Sequence, residues 1–192
     1  MTKDELITKY RDINVNHDWW DSTYENFTED MQAIGIQVDR MYFSGFWSQG
    51  DGACFEGKVS DWRLFLKSLG YDNPPLTNLA EQFWNCSVDH RGHYYHENCT
   101  LFSMDMPCPD DTDDQYFAAL YSPYPDGDFR SLAWLAALKT VDYSKFEDEF
   151  KAAFRGHMQE LYKRLEQEYE YLTSDEAVWD AIVACGLDEE VV

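Results

Sequence analysis

Basic residues are scarce in this chain: its 192 residues include 15 lysines and arginines against 37 aspartates and glutamates, a formal net charge of -22. Proteins that bind nucleic acid directly gain much of their affinity from cations that displace counterions from phosphate. This charge balance therefore disfavours direct nucleic-acid binding. The same negative field attracts basic surfaces and accelerates encounter with them, which indicates a basic partner. The alternative is an acidic surface that serves only solubility.

Long apolar runs and paired cysteines are also lacking. No run of apolar residues approaches the roughly 18 that a transmembrane helix requires. The first residues, MTKDELITKYRD, alternate charged and apolar side chains and lack the apolar segment of a secretory signal. We therefore expect a soluble, cytoplasmic protein. Its 5 cysteines are scattered without a C-x-x-C pair, so in a reducing compartment we expect them to be small buried residues.

Aromatic residues are abundant, and they exclude a disordered chain. They make up 17% of the sequence, within a hydrophobic share of 44%, whereas disorder requires few aromatics. Residues 1–35 follow helical spacing, residues 36–105 contain alternating, aromatic-rich strand segments, and residues 142–186 return to helical spacing. This order predicts an α+β fold in one domain, 1–192, with a small antiparallel sheet between N-terminal helices and a long C-terminal helix.

Residues 42–57, YFSGFWSQGDGACFEG, predict two strands joined by a polar loop. The glycines on either side of Asp51 tolerate the positive φ that a chain reversal requires. Two interpretations of the loop are open. Trp47, Gln49 and Asp51 present aromatic and hydrogen-bonding groups to a partner. Alternatively, Trp47 packs inward while Gln49 and Asp51 bond to the backbone of the turn.

Three histidines, His90, His93 and His96, follow H-x-x-H-x-x-H spacing. Zinc requires three or four donors that converge on one point. We expect a turn at Arg91-Gly92 and a strand from His93 onward, which directs His93 and His96 to opposite faces of the sheet. The pattern therefore favours polar sheet residues, and we assign no metal and no cofactor.

Familiar catalytic motifs are missing as well. The chain contains no G-x-S-x-G elbow, Walker lysine or G-x-G-x-x-G loop, and we assign no catalytic residue. An enzyme, or a protein that binds a nucleotide or another small ligand, stays the alternative. Its cleft would lie near the hairpin and be lined by Tyr42, Gln49, Asp51, His93 and His96.

Two acidic sets are candidates for binding a partner. One crowds a short segment and contains Asp110, Asp111, Asp113 and Asp114; the other lies on the predicted long helix and contains Glu160, Glu166, Glu168 and Glu170. Like charges four residues apart destabilise a helix slightly, so their retention requires a reason. Carboxylates about 6 Å apart on a rigid helix can imitate a row of phosphates, which predicts a DNA or RNA mimic.

The predicted long helix spans residues 143–172 and is about 45 Å long. Its apolar residues form one stripe at a spacing between three and four, which is typical of an amphipathic helix: Phe146, Phe150, Phe154, Met158, Leu161, Leu165 and Leu172. A further alternative is therefore a homodimer in which this stripe is buried between two chains.

The run FSGFWSQGDGACFEG resembles a signature of small bacteriophage and prophage proteins, often labelled as antitoxins of toxin–antitoxin stability systems. HYYHEN and TSDEAVWDAI show a weaker likeness. The resemblance implies a phage or mobile-element origin, action in the host cytoplasm and inhibition of a host protein. With the charge, it predicts a non-catalytic inhibitor of anti-CRISPR, anti-restriction or antitoxin type that binds a basic, nucleic-acid-binding surface of a host nuclease, CRISPR effector or toxin.

Overall fold

The computed structural model describes residues 1–109, 113–125 and 128–188, and its fold is α+β, as predicted. In chain order the elements are α1 (Lys3–Lys9), α2 (Asp21–Ala33), β1 (Ile36–Phe43), β2 (Ala53–Val59), α3 (Trp62–Ser68), α4 (Pro74–Phe83), β3 (Asn85–His90), β4 (Thr100–Asp105), α5 (Asp114–Tyr121), α6 (Phe129–Leu138), a 3-10 turn (Tyr143–Lys145), α7 (Phe146–Leu172) and α8 (Asp175–Ala184).

Backbone contacts divide the chain into two compact units. Unit 1 consists of Met1–Phe27 and Glu160–Val192, and unit 2 of Thr28–Gln159. The single domain 1–192 stays a prediction.

The sheet lies in unit 2 and is antiparallel, with strand order β1-β2-β3-β4. The predicted hairpin is confirmed, with Phe43 opposite Ala53 at the ends of β1 and β2. The predicted strand from His93 onward is wrong over its first part, because β4 begins at Thr100 and residues 91–99 form a loop. Gly92, with a φ of 117°, belongs to this loop. Residues 44–52 and 91–99 are therefore two connecting loops of the sheet.

Aromatic side chains fill the core of unit 2. Phe154 of α7 is fully buried, and its ring centroid lies 5.8 Å from that of Phe55 on β2, of Phe65 on α3 and of Phe102 on β4. Burial of one such ring stabilises a fold by about 1.5–3 kcal/mol. Phe154 thus joins the sheet, α3 and α7 into one core.

Unit 1 is built on the pairing of α1 with α8. Leu6 and Ile7 of α1 pack against Val178 and Ile182 of α8. The guanidinium of Arg11 donates to the Thr173 carbonyl and to the Asp175 carboxylate, which ties the segment after α1 to the start of α8. This unit is therefore held by a small apolar cluster with polar contacts at its edge.

The spacing T-x-x-E predicts a capping box at two helix starts, from Thr2 to Glu5 and from Thr173 to Glu176. The predicted capping box of α1 is confirmed, because Thr2 Oγ1 accepts from the Glu5 N–H and Glu5 Oε2 accepts from the Thr2 N–H. The box predicted at the start of α8 is wrong. There Ser174 Oγ accepts from the Ala177 N–H, while the Thr173 hydroxyl donates to the Tyr169 carbonyl in the preceding turn.

The long helix α7 has 27 residues, and its apolar stripe is buried within the chain. Six stripe residues, from Phe146 to Leu165, are at most 2% exposed, and Leu172 is half-buried. The stripe therefore does not offer a surface to a second copy, and a homodimer stays a prediction. None of the helices in the described part of the chain has the length and apolar composition that a bilayer crossing requires.

Candidate functional site

The loop between β1 and β2 is organised by Asp51. Its Oδ2 atom accepts from the Trp47 N–H at 2.8 Å and from the Ser48 N–H at 2.6 Å. Gly45 and Gly50 take the positive φ values of 118° and 100° that this chain reversal requires. The Asp51 carboxylate is thus committed to the loop backbone, as one of the two interpretations expected. A role for it in partner binding stays a prediction.

Trp47 lies on the outside of this loop. Its side chain is 76% exposed, and its ring meets Phe46 edge-on at 5.8 Å. The interpretation in which Trp47 packs inward is therefore wrong. Gln49 is exposed as well. An exposed tryptophan beside a polar loop matches the composition of protein–protein contact sites, where tryptophan is enriched.

The structure brings together the two stretches FSGFWSQGDG and HYYHEN. A Cβ on Gly50 would stand 2.9 Å from the Tyr94 ring, so the two loops lie in contact. Next to this contact, the rings of Tyr42, His90 and Tyr95 form a triangle with centroid separations of 5.1, 5.2 and 5.1 Å. The sequence placed His90 in a row with the other histidines and gave no signal for this aromatic triangle.

The three histidines differ in their surroundings. His90 Nε2 lies 3.2 Å from the Tyr94 carbonyl oxygen, and His96 Nδ1 lies 2.9 Å from Glu97 Oε2, while His93 is exposed. Within the described ranges, no three side chains of the histidine, cysteine, aspartate or glutamate type are grouped so that they could hold a metal ion.

Cys54, on β2 just after the hairpin loop, is buried. Burial raises the pKa of Cys54 to about 12, and the neighbouring Cys99 adds to the shift. Because the thiolate is the nucleophile, Cys54 is unreactive at neutral pH.

The acidic segment before α5 is partly structural. Asp113 caps α5 by accepting from the Gln115 and Tyr116 N–H groups, and Asp114 pairs with Lys139. Asp110 and Asp111 lie outside the described residues. The two carboxylates of this set that the structure describes therefore have partners within unit 2.

The acidic residues of α7 differ from one another. Glu160 is paired with Arg164, whose Nε lies 3.1 Å from its Oε1. Glu166 and Glu168 are partly exposed, and Glu170 is exposed. These three residues lie in the last two turns of the helix, in unit 1.

Unit 1 carries negative charge at high density. Its sixty residues include sixteen of the acidic residues of the chain and five of the basic ones, so it holds half of the net charge of -22 on less than a third of the length. Half-buried aromatic rings belong to the same unit. Trp19 meets Tyr169 edge-on at 5.7 Å, and the pKa of Tyr169 is raised by burial and by the charge of Asp12. Rings beside carboxylates form a suitable surface for lysine and arginine side chains.

Four cavities within the described residues lie away from the hairpin. In unit 2, one of about 550 Å³ lies between the end of β4 and α5, another of about 540 Å³ between α5 and α6, and a third of about 260 Å³ between the α4 start and α6. In unit 1, a cavity of about 450 Å³ lies between α1 and α8. The residues that line them do not include those predicted for a cleft near the hairpin, so these cavities give the enzyme alternative no support.

A family model described as a domain of unknown function, DUF8835, matches residues 19–175. The chain belongs to the DUF8835 family. The match includes both the hairpin loop with Trp47 and the end of α7 with Glu170, so both candidate surfaces of this DUF8835 protein lie within the family's domain. Comparison with curated proteins and with solved structures gave no significant match.

Proposed function

We propose that this DUF8835 protein is a non-catalytic inhibitor, of the anti-CRISPR, anti-restriction or antitoxin type carried by phages and mobile elements. Its acidic unit 1 binds a basic, nucleic-acid-binding surface of a host nuclease, CRISPR effector or toxin. The observation that carries the proposal is the uneven charge, because half of the net charge lies in the sixty residues of unit 1. An acidic surface that served only solubility would not need this concentration.

The end of α7 supplies the part of the surface that imitates phosphate. Glu166 and Glu170 are four residues apart, so their Cα atoms lie about 6 Å apart along the helix axis. Glu168 lies between them in sequence and is partly exposed. The helix fixes the spacing of these carboxylates before binding, which lowers the entropic cost of presenting them to a partner.

The charge also determines how the partner is found. A concentrated negative field raises the rate of encounter with a basic surface and falls off with salt. Glu166 and Glu170, four residues apart on one side of α7, add repulsion within unit 1, and this repulsion is relieved when a basic partner covers them. Binding of this kind excludes nucleic acid from the same basic surface, which is the inhibitory step.

The proposal is tested by capture from host lysate followed by competition. The tagged protein is expected to retain a basic protein that duplex DNA or RNA displaces. The variant Glu166→Gln, Glu168→Gln, Glu170→Gln is expected to lose it. The matched control, Asp72→Asn, Glu81→Gln, Asp89→Asn, removes three exposed carboxylates of unit 2 and is expected to retain it. Capture that nucleic acid does not displace, or that both triple variants reduce equally, contradicts the proposal.

A further inference from the structure

Helix α6 is apolar on its exposed side as well as on its buried side. It buries Trp134, Leu135 and Leu138 in unit 2. Its solvent-facing residues follow i, i+3, i+4, i+7 spacing and are Phe129, Leu132, Ala133 and Ala136. Phe129 is 78% and Leu132 66% exposed. A surface helix of a globular protein normally places polar residues on this side. The exposed apolar stripe therefore indicates a binding surface on α6.

Helix α5 carries two exposed apolar side chains of its own, Tyr116 at 60% and Leu120 at 50%, and these line the cavity between the end of β4 and α5. The pairing of Asp114, at the start of α5, with Lys139, just after α6, places the start of α5 beside the end of α6. Between them lies the cavity of about 540 Å³, which we call the α5–α6 groove; it is lined by Asp114, Gln115, Ala118, Asp128, Ser131, Leu132 and Leu135.

Buried aromatic packing holds α5 and α6, the two helices that form the groove, against each other. Phe117 of α5 is 1% exposed, stacks on Trp134 of α6 at 6.2 Å and lies 4.7 Å from the Tyr121 ring. Aromatic pairs at these distances stabilise beyond the area that they bury. The groove therefore exists before a partner binds, which lowers the cost of binding.

The surroundings of the groove are acidic. Residues 104–139 include seven acidic and two basic residues, and the basic residues are engaged: Arg130 with Asp128 and Lys139 with Asp114. Of the other acidic residues, Asp105 and Asp113 are exposed. A partner that covers the apolar stripe thus meets negative charge at its edges.

We propose that the α5–α6 groove binds an amphipathic helix of another protein, in which lysines or arginines flank an apolar stripe. The groove and the exposed apolar stripe of α6 beside it offer a surface on which the apolar face of an amphipathic helix can dock. The negative charge of this chain decides which kind of partner can occupy the surface. A second copy of this chain carries -22, and an anionic membrane is also negative, so both are repelled, whereas a basic helix is attracted. This surface lies in unit 2, and the proposal does not rest on the acidic surface of unit 1.

The test uses a synthetic probe. A fluorescent peptide of leucine and lysine about five turns long, with its leucines on one helical face, is titrated with the protein, and anisotropy gives Kd. A scrambled peptide of the same composition carries the same charge without the apolar face. We expect the amphipathic peptide to bind roughly ten-fold more tightly than the scrambled peptide. A difference of this size is what alanine substitution of one contributing interface residue produces.

Variants locate the site. Phe129→Ala and Leu132→Gln are each expected to raise the Kd of the amphipathic peptide roughly ten-fold, because these side chains are exposed and their loss leaves the fold intact. Val183→Gln alters an exposed apolar residue of unit 1 and serves as the matched control, with Kd unchanged. The Glu166, Glu168, Glu170 triple variant is expected to leave the ratio of the Kd values of the scrambled and amphipathic peptides within about two-fold of that of the unaltered protein, which separates this proposal from the proposed function.

Four outcomes would overturn the proposal. In the first, the scrambled peptide binds as tightly as the amphipathic peptide, so that the interaction depends on charge alone. In the second, the Leu132→Gln protein binds the amphipathic peptide with the Kd of the unaltered protein. In the third, sedimentation detects a dimer that Leu132→Gln dissociates, which assigns the groove to a second copy. In the fourth, the protein binds anionic vesicles through Leu132, which assigns the groove to a membrane.

Discussion

Gly52 and His96 lie in backbone contact: a Cβ at position 52 would stand 2.8 Å from the His96 Cα. Position 52 requires glycine because of this approach and not because of its φ, since the positive-φ glycines of the loop are Gly45 and Gly50. The contact joins the two connecting loops of the sheet. Substitution of Gly52 therefore tests directly whether these two loops are in contact.

We expect Gly52→Ala to lower the free energy of unfolding by about 1–3 kcal/mol, because the added methyl group forces two backbones apart. Gly156→Ala is the matched control. Gly156 lies within α7 with open space around its Cα, so alanine there is expected to stabilise by about 0.5–1 kcal/mol. Urea unfolding followed by circular dichroism measures both. Equal effects of the same sign would mean that the two loops are not in contact.

Asp51→Ala is expected to destabilise the protein by about 1.5–3 kcal/mol, because the loop loses the charged acceptor of the Trp47 and Ser48 N–H groups. Gln49→Ala, at an exposed position of the same loop, is expected to change stability by less than about 0.5 kcal/mol. Urea midpoints compare the two variants. If they are the same, Asp51 does not organise the loop.

Alkylation separates the cysteines by exposure. Burial raises the pKa of both Cys54 and Cys86 to about 12, so their thiols stay protonated at pH 8 in the folded protein. Cys185 is exposed. Iodoacetamide with peptide mass spectrometry is therefore expected to label Cys185 in minutes and Cys54 and Cys86 only after addition of urea. Rapid labelling of Cys54 in the folded protein would contradict the burial of this strand.

The cap of α8 gives a fourth prediction. Ser174→Ala is expected to lower the free energy of unfolding by about 1 kcal/mol, because the Ala177 N–H loses its acceptor. Thr173→Ala removes a hydroxyl that bonds only back to the preceding turn, and we expect a smaller effect. Thermal unfolding measures the difference. If Thr173→Ala lowered the stability more than Ser174→Ala, Thr173 and not Ser174 would be the cap of α8.

Local signals in the sequence predicted the parts of the fold that depend on neighbours in the chain. The spacing of Phe146, Phe150 and Phe154 predicted α7, and the alternation before Phe43 and after Ala53 predicted the hairpin. The cap of α8 failed by one position, because Thr173 and Ser174 are both capable of capping and only the geometry of the preceding turn decides between them.

Features that depend on distant contacts were not predicted. Residues 91–99 form a loop although their sequence has the pattern of a strand. This loop contacts Gly50 and Gly52, which precede it by some forty residues in the chain. The exposed stripe of α6 was missed for a different reason. FRSLAWLAAL is apolar around most of its circumference, so its composition does not tell which side is buried and which is exposed.

The central claim is that the carboxylates of unit 1 bind a cationic surface in place of nucleic acid. The most direct measurement is the salt dependence of Kd for the captured partner, between about 50 and 300 mM NaCl. We expect a steep weakening with salt, and a clearly smaller slope for the Glu166→Gln, Glu168→Gln, Glu170→Gln variant than for the unit 2 control. An affinity that does not change with salt, or a slope that this variant leaves unaltered, would contradict the claim.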